Sequence, residues 1–400
     1  MPSIVLACLA YLSVALPAST LGLLWPSMRL GFHQPVGAPG ALLAVSVGAS
    51  IISSVATGRL MACVRVGTLV PVGTLVVAAG LGEEAVAPSL WVFAIGAVLF
   101  GLGFGALDSA INAHAASHFG ARDINWVHAS YGLGATVGPL ATTAMLGAGL
   151  SWRWVYGTMA VALGAVASIS AVARRSWATS PTPLVPSLTG REKQLGARPR
   201  SSGPAKPPPT SIFIPLIFSG LIFGAVETGI EPGAGIWGYV FLTSGRGLSH
   251  EAAGVAVAAY WAMMLVGRAV LGPVAEHTGA QPVLGGAVVG VAIGAALMSA
   301  PGPGFVAVVG MMALGLAASP IFPLLTLITA RRLGPANATS RTVSLQVAAS
   351  ATGAAALPAG IGVAIELVSA KALAPLLFVL ALAMGGAYAH MSALARRSPP

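Results

Sequence analysis

The sequence predicts an all-α integral membrane protein, with twelve transmembrane helices in two pseudo-symmetric six-helix bundles. Three observations carry that prediction. Hydrophobic residues fill 56% of the 400 positions and charged residues only 8%, about a third of the ~25% charged fraction of an average soluble domain. No water-soluble fold of this length hides so much apolar surface. Twelve stretches are long and apolar enough to cross a ~30 Å hydrocarbon core, and the basic residues gather on one side of the thread they define.

The stretches fall near 4–26, 38–58, 66–82, 89–116, 127–149 and 153–173, then near 212–243, 252–272, 281–300, 303–330, 343–365 and 372–394. They are continuously apolar rather than alternating at period two, which selects helices over a barrel. The net charge of +10 is not a nucleic-acid footprint, because its placement follows the membrane. With a cytoplasmic N-terminus, sixteen basic residues fall inside, among them Arg59, Arg65, Arg122, Arg174, Arg175, Arg268 and Arg396, and only Arg29, Arg153, Arg246 and Lys371 fall outside. That split follows the positive-inside rule and puts both termini in the cytoplasm. Dropping one helix from either half would scatter the downstream charges. Cys8 lies in the first helix and Cys63 in an inner loop, so no disulfide framework is implied. No basic n-region precedes residues 4–26, which reads as a retained first helix rather than a signal peptide. The 17 Arg against 3 Lys, with abundant Ala and Gly, point to a GC-rich bacterium and hence to the bacterial inner (cell) membrane.

Residues 176–210 stand apart, with eight prolines and five Lys or Arg. This is a solvated, extended cytoplasmic linker between an N-terminal bundle, 1–175, and a C-terminal bundle with a short basic tail, 211–400. The second inner loop of the C-terminal half, Gly272-Pro273-Val274-Ala275-Glu276-His277-Thr278-Gly279, fits the loop pattern of major facilitator proteins. In it Gly272 and Gly279 would allow a tight turn and Glu276 would hold a base or a helix end when the cytoplasmic gate closes. The other reading is a short polar turn with incidental charge. The N-terminal counterpart, from Gly58-Arg59-Leu60, is degenerate and lacks the acid.

An ionisable side chain inside a membrane helix costs roughly 2.5–3.5 kcal/mol on insertion scales and needs a reason. Three acids qualify. Asp108 lies in the fourth helix, with Asn112 four residues on and so on the same face. A carboxyl held in a low-dielectric cavity can take and release a proton, because desolvation disfavours the anion; the competing role is a hydrogen-bonded tie between helices. Glu227 and Glu231 share one face of the seventh helix, and Gly229, Pro232, Gly233 and Gly235 predict a break there that would line a binding cavity. Glu231 can also be read as part of an outer, water-facing stretch. Trp25, Trp237, Tyr239, Tyr260 and Trp261 are candidates to stack on a solute, against interfacial or core roles. Tyr131, which with His128 begins the fifth helix within reach of Asp108, is a further substrate-binding candidate against a packed or interfacial role. Trp25, Trp152 and Trp154 fit an interfacial belt, and Arg268 a snorkelling anchor at the cytoplasmic end of the eighth helix. The pair Gly134 and Gly138 lets two helices approach closely.

Two runs, Gly101-Leu-Gly-Phe-Gly-Ala-Leu-Asp-Ser-Ala-Ile-Asn112 and Trp126-Val-His-Ala-Ser-Tyr-Gly-Leu-Gly-Ala-Thr-Val-Gly-Pro139, resemble helices four and five of fucose-permease-like major facilitator proteins. Glu227, Trp237, Gly245-Arg-Gly-Leu-Ser249, Tyr260-Trp261 and Gly267-Arg268 resemble helices seven and eight of the same group. The resemblance implies the major facilitator fold, proton-coupled sugar import and a coupling role for Asp108. The helix-one acid of those proteins has no counterpart here, where Ser19 and Thr20 stand.

No phosphate cradle, dinucleotide fingerprint or zinc-hydrolase histidine pair survives inspection, so no enzyme, metal or cofactor is expected. The reading is a monomeric secondary transporter in the lipid bilayer, importing a sugar or similar polar metabolite with protons bound at Asp108 and Glu227. Its alternatives are proton-driven export of a drug or metabolite and, more remotely, a non-transporting receptor or scaffold.

Overall fold

The computed structural model describes residues 3–119, 121–177, 210–325, 328 and 336–397. Seven helices precede the linker: α1 (Ser3–Ala18), α2 (Leu21–Phe32), α3 (Ala38–Leu60), α4 (Val66–Val86), α5 (Leu90–His118), α6 (Ala121–Gly147) and α7 (Trp152–Val172). Among the described residues after it stand α8 (Thr210–Val240), α9 (His250–Thr278), α10 (Ala280–Ser299), α11 (Gly304–Ala318), α12 (Ala336–Leu367) and α13 (Leu373–Arg397), with residues 321–325 also helical. Among the described residues, ten spans are long and apolar enough to cross a membrane, eleven with α1 and α2 taken as one bent span. The 27-residue α6 completes twelve. Most of the expected linker, 178–209, lies outside the described residues, as do Arg331 and Arg332.

Local sequence explains the helix ends. Ser89, Ser151 and Ser249 each stand one residue before a helix, and their hydroxyls accept from Val92, Arg153 and Ala252 N–H, satisfying donors that the first turn leaves open. These caps share one face of the bundle, opposite the face that carries the termini. The break in the first span comes from Pro17, which cannot donate to the preceding turn. Thr20 N–H and its hydroxyl return instead to Pro17 O, and α1 and α2 meet at 43°.

The break expected in the seventh span is absent. Helix α8 runs without interruption to Val240 and ends in a π-helical turn over Phe241–Gly245. Its glycines are points of close approach rather than hinges. A Cβ at Gly229 would lie 2.7 Å from Leu357 Cβ, and one at Gly235 2.7 Å from the Trp261 ring. Packing on both sides holds the helix through Pro232, a residue that costs one backbone bond and need not end a supported helix. The expected loop from Gly272 is likewise helical. Gly272 and Glu276 lie within α9, and a Cβ at Gly272 would meet nothing within 4 Å. Only Gly279 makes the turn, at φ +97°, where glycine alone is unstrained.

The buried side chains fall into two clusters, one drawn from residues 6–177 and the other, apart from Leu23, from residues 216–391. Large apolar residues such as Trp91, Trp154, Val161 and Val172 are strongly exposed on the perimeter, as a lipid-facing surface requires. The halves meet through three helix pairs, α6 with α9, α3 with α12 and α2 with α8. Toward the face opposite the termini two of these pairs, α2 with α8 and α3 with α12, come together backbone to backbone: Gly22 faces Ile236, Gly37 faces Gly362 and Gly40 faces Ala359. There Glu366 of α12 accepts from the Val36 N–H at 2.5 Å and the Gly37 N–H at 3.3 Å, joining the second half to the first turn of α3.

Candidate functional site

Along the seam, α6 of one half packs on α9 of the other. Helix α6 presses closely on α1, since a Cβ at Gly134 would meet Ala15 Cβ at 2.9 Å and one at Gly138 the Ser19 hydroxyl at 3.0 Å. The paired glycines thus bring helices together as their spacing suggests. That contact draws Tyr11 of α1 to Asp108 of α5. The phenol O–H donates to Asp108 Oδ1 at 2.6 Å, and Asn112 Nδ2 donates to both the phenol oxygen, at 2.9 Å, and Asp108 Oδ1, at 3.0 Å. Two donors therefore converge on one carboxyl oxygen. Asp108 Oδ2 has no hydrogen bond to a described residue.

Two α6 side chains cover this group toward the second half. The His128 ring lies 5.7 Å and the Tyr131 ring 6.2 Å from that of Tyr11, both edge to face. His128 is within electrostatic reach of both Asp108 and Arg268, and Tyr131 of Asp108, Arg268 and Glu231. Helix α6 thus stands between two charged groups, one in each half.

The second group belongs to α8 and α9. Arg268 Nη2 stands 4.0 Å from Glu231 Oε1, with the side chains 33% and 23% exposed. Arg268 is therefore no terminal anchor: α9 continues for ten residues beyond it and the guanidinium turns to an interior acid. Glu231 lies in the seam with that partner, not in an outer stretch. One turn away, Glu227 is 2% exposed and its Oε2 has no hydrogen-bond partner among the described residues. Tyr260 is fully buried and its O–H donates to Glu231 O at 2.9 Å, while Trp261 packs edge-on against it at 5.2 Å with an indole N–H lacking a partner.

Not every expected residue joins these groups. Trp237 is fully buried and its indole N–H donates to Pro358 O at 2.8 Å, which commits it to the α8–α12 contact. Trp25 and Trp152 sit in the first-half core rather than in a belt; Trp154 alone of the three is exposed. Other residues were not anticipated. Tyr11 escaped a reading of the first helix that looked for carboxylates. The pair Glu83 and Glu84 escaped because the third span appeared to end at 82, whereas α4 continues to Val86 and leaves Glu84 only 5% exposed. Both Glu83 carboxyl oxygens are buried, with the Gly96 backbone beside them and no side-chain partner among the described residues, and nearby Arg153 donates instead to Ala85 O and Ala87 O.

A twelve-span bundle with ionisable groups at the seam of two halves defines a membrane transporter, and the chain belongs to the Major Facilitator Superfamily, whose profile matches residues 7–358. An uncharacterized transporter, y4wD, of Sinorhizobium fredii (strain NBRC 101917 / NGR234) is 33% identical over 119 residues, 28% of this chain and 31% of that protein's length. Three solved structures share the fold at 13% identity each. The nucleoside transporter NupG superposes with a TM-score of 0.71 over 98% of both chains. A bacterial homolog of the human lysosomal transporter Spinster, inward-facing and occupied, gives 0.74 over 98% of this chain and 96% of its own. A variant of the peptide transporter POT gives 0.75 over 99% and 94%.

Proposed function

We propose that this transporter moves a small polar metabolite into the cell together with protons, by rocking one six-helix bundle (1–175) against the other (211–400) about the seam. The observation that carries the reading is the pair of acid groups flanking α6. Asp108 is held by Tyr11 and Asn112 in one half, and Glu227 and Glu231 lie beside Arg268 in the other. A desolvated carboxylate with no cation paired to it costs several kcal/mol, and a proton removes that cost. Glu227 and Asp108 are accordingly the proton carriers; Asn112, Tyr131, Glu231 and Trp261 border the solute, with Tyr260 packed behind Glu231. The fucose-permease-like motifs favour a sugar-sized polar solute and import. The bias of Arg and Lys toward the termini face supports a cytoplasmic position for that face, and on this reading the closed glycine contacts of the seam face outward.

Proteoliposomes enclosing a pH-sensitive dye test the coupling. A panel of sugars and organic acids is added outside, and at least one acidifies the lumen as it enters. Asp108→Asn should abolish that acidification while sparing solute exchange; acidification at the wild-type rate removes Asp108 from the role. The tyrosine on α1, standing where a helix-one acid would, also suits an exporter. Lumenal alkalinisation on adding solute would select that direction.

A further inference from the structure

On the outward face, in the terms of the orientation just proposed, a cavity of about 320 Å³ lies across the seam. Its walls come from both halves: Trp25 and Arg29 from α2, Thr243 and Ser244 from the π-helical turn, and His250 from the start of α9. We infer that this cavity is an outer subsite for the anionic group, a carboxylate or phosphate, of the transported solute, with Arg29 as its principal contact.

The argument turns on how the three arginines near this face are used. Arg153 donates to Ala85 O and Ala87 O and lies 4.4 Å above the Trp152 ring. Arg246 donates to Met298 O and Ala300 O and lies over the Phe241 ring. Each is committed to the last carbonyls of a helix. Arg29 makes no ion pair or side-chain hydrogen bond with a described residue, although it is only half-exposed and borders the cavity. A planar guanidinium with five donors, partly removed from water and committed to nothing, is the group best suited to grip a carboxylate or phosphate. The surroundings agree. No carboxylate lines the cavity, and nearby Glu366 is occupied by the N–H groups of Val36 and Gly37. The Tyr239 hydroxyl lies 2.9 Å from His250 Nδ1, leaving Nε2 for a ligand, and the Ser244 hydroxyl is exposed. Because the walls belong to both bundles, the position meets a solute arriving between them rather than a lipid on the perimeter.

This inference rests on the transporter reading and names the chemistry of its solute. Binding is read without a proton gradient, so its failure would leave the role of Asp108 standing, and loss of coupling in the earlier test would leave this one standing. Purified full-length protein in neutral detergent is titrated with acetate, succinate and inorganic phosphate against chloride at matched ionic strength, and thermal unfolding is followed. A ligand of the folded state raises the melting temperature saturably. At least one probe should do so. In Arg29→Gln the half-maximal concentration should rise about tenfold or more, as loss of a charge-assisted contact implies, and Arg29→Lys should recover part of the effect. Arg29 makes no ion pair or side-chain hydrogen bond with a described residue, so the variant should unfold near the wild-type temperature without anion, which is checked first. No response to any probe, or an equal response in Arg29→Gln, overturns the inference. So does an Arg29-dependent shift seen with phosphatidylglycerol in nanodiscs but not with the free anions.

Discussion

Replacing Gly22 by alanine should shift the protein toward its outward-open state. A Cβ there would lie 2.8 Å from the carbonyl carbon of Ile236 and closer still to its oxygen. Both are backbone atoms and cannot rotate away. For the carbon alone to reach ordinary contact at 3.4 Å, α2 and α8 must part by at least about 0.6 Å. Overpacking of this kind costs about 1–3 kcal/mol, and here the strain exists only while the outer seam is closed. The closed state should therefore lose a factor of about 5 to 150 against the open one. The control is Gly105→Ala. That glycine faces the carbonyl carbon of Ser50 at 2.9 Å, a near-equal clash, but inside one bundle, so it should lower stability without shifting the equilibrium. The helix-propensity gain of Gly to Ala is common to both. The assay is the rate at which an impermeant maleimide, added outside intact cells, labels a cysteine placed at Ser244 in a Cys8→Ser, Cys63→Ser background. Gly22→Ala should raise that rate and Gly105→Ala should not. Equal rates in the two variants would refute the idea that the glycine contacts hold the outer gate.

Three shorter expectations follow. Tyr11→Phe removes one of two donors to Asp108 and should destabilise the protein by about 1 kcal/mol while altering the pH dependence of solute uptake; an unchanged pH profile separates Tyr11 from coupling. Arg268→Gln leaves Glu231 without its cation, and Glu231→Gln should rescue part of the loss, with a coupling of about 0.5–3 kcal/mol in a double-mutant cycle on thermal stability. Strict additivity would mean the 4.0 Å pair carries no energy. Cys63 is exposed in the turn after α3, whereas Cys8 is half-buried in α1. An impermeant maleimide should label Cys63 in inside-out vesicles and not in intact cells, and the reverse pattern would invert the proposed topology.

Much of the fold was legible because the bilayer constrains sequence more tightly than water does. Twenty apolar residues bounded by polar loops have few structural options, and the alternation of basic loops fixes the parity of the count. Composition says less about what a given residue does within a helix. Gly229, Pro232, Gly233 and Gly235 read as a break because those residues weaken an isolated helix, yet in the bundle they are where Leu357, Ile361 and Trp261 pack against α8. Tertiary contact reversed the local preference. The real bend, after Pro17, was hidden by the apolar continuity of residues on either side. Asp108 and Asn112 were paired correctly from helical spacing alone, but their third partner, Tyr11, lies 97 residues away and no local pattern points to it. Glu84 was lost for a simpler reason, since two adjacent acids look like a loop and only the course of α4 shows one of them turned inward.

The distribution of charge along the seam gives the proposed coupling a physical basis. Two carboxyls of the second half, Glu227 and Glu231, share one guanidinium, Arg268, and Asp108 stands across α6 beside His128. A solute with an anionic group, received outside at Arg29, would find Arg268 already paired with Glu231 and would meet two further acids. Like charges this close, away from water, repel strongly, so anion and ionised acids cannot share the site at low cost. Protons on Glu227 and Glu231 remove that repulsion and release Arg268 to the incoming anion, whereas departure of the solute favours the Glu231 pair again. On the proposed reading, then, proton and solute depend on each other because both compete, with opposite sign, for the balance of one half-buried cation. An Arg268→Lys variant should keep the charge but lose the planar two-point grip, so it should weaken solute binding while leaving the dependence on protons in place.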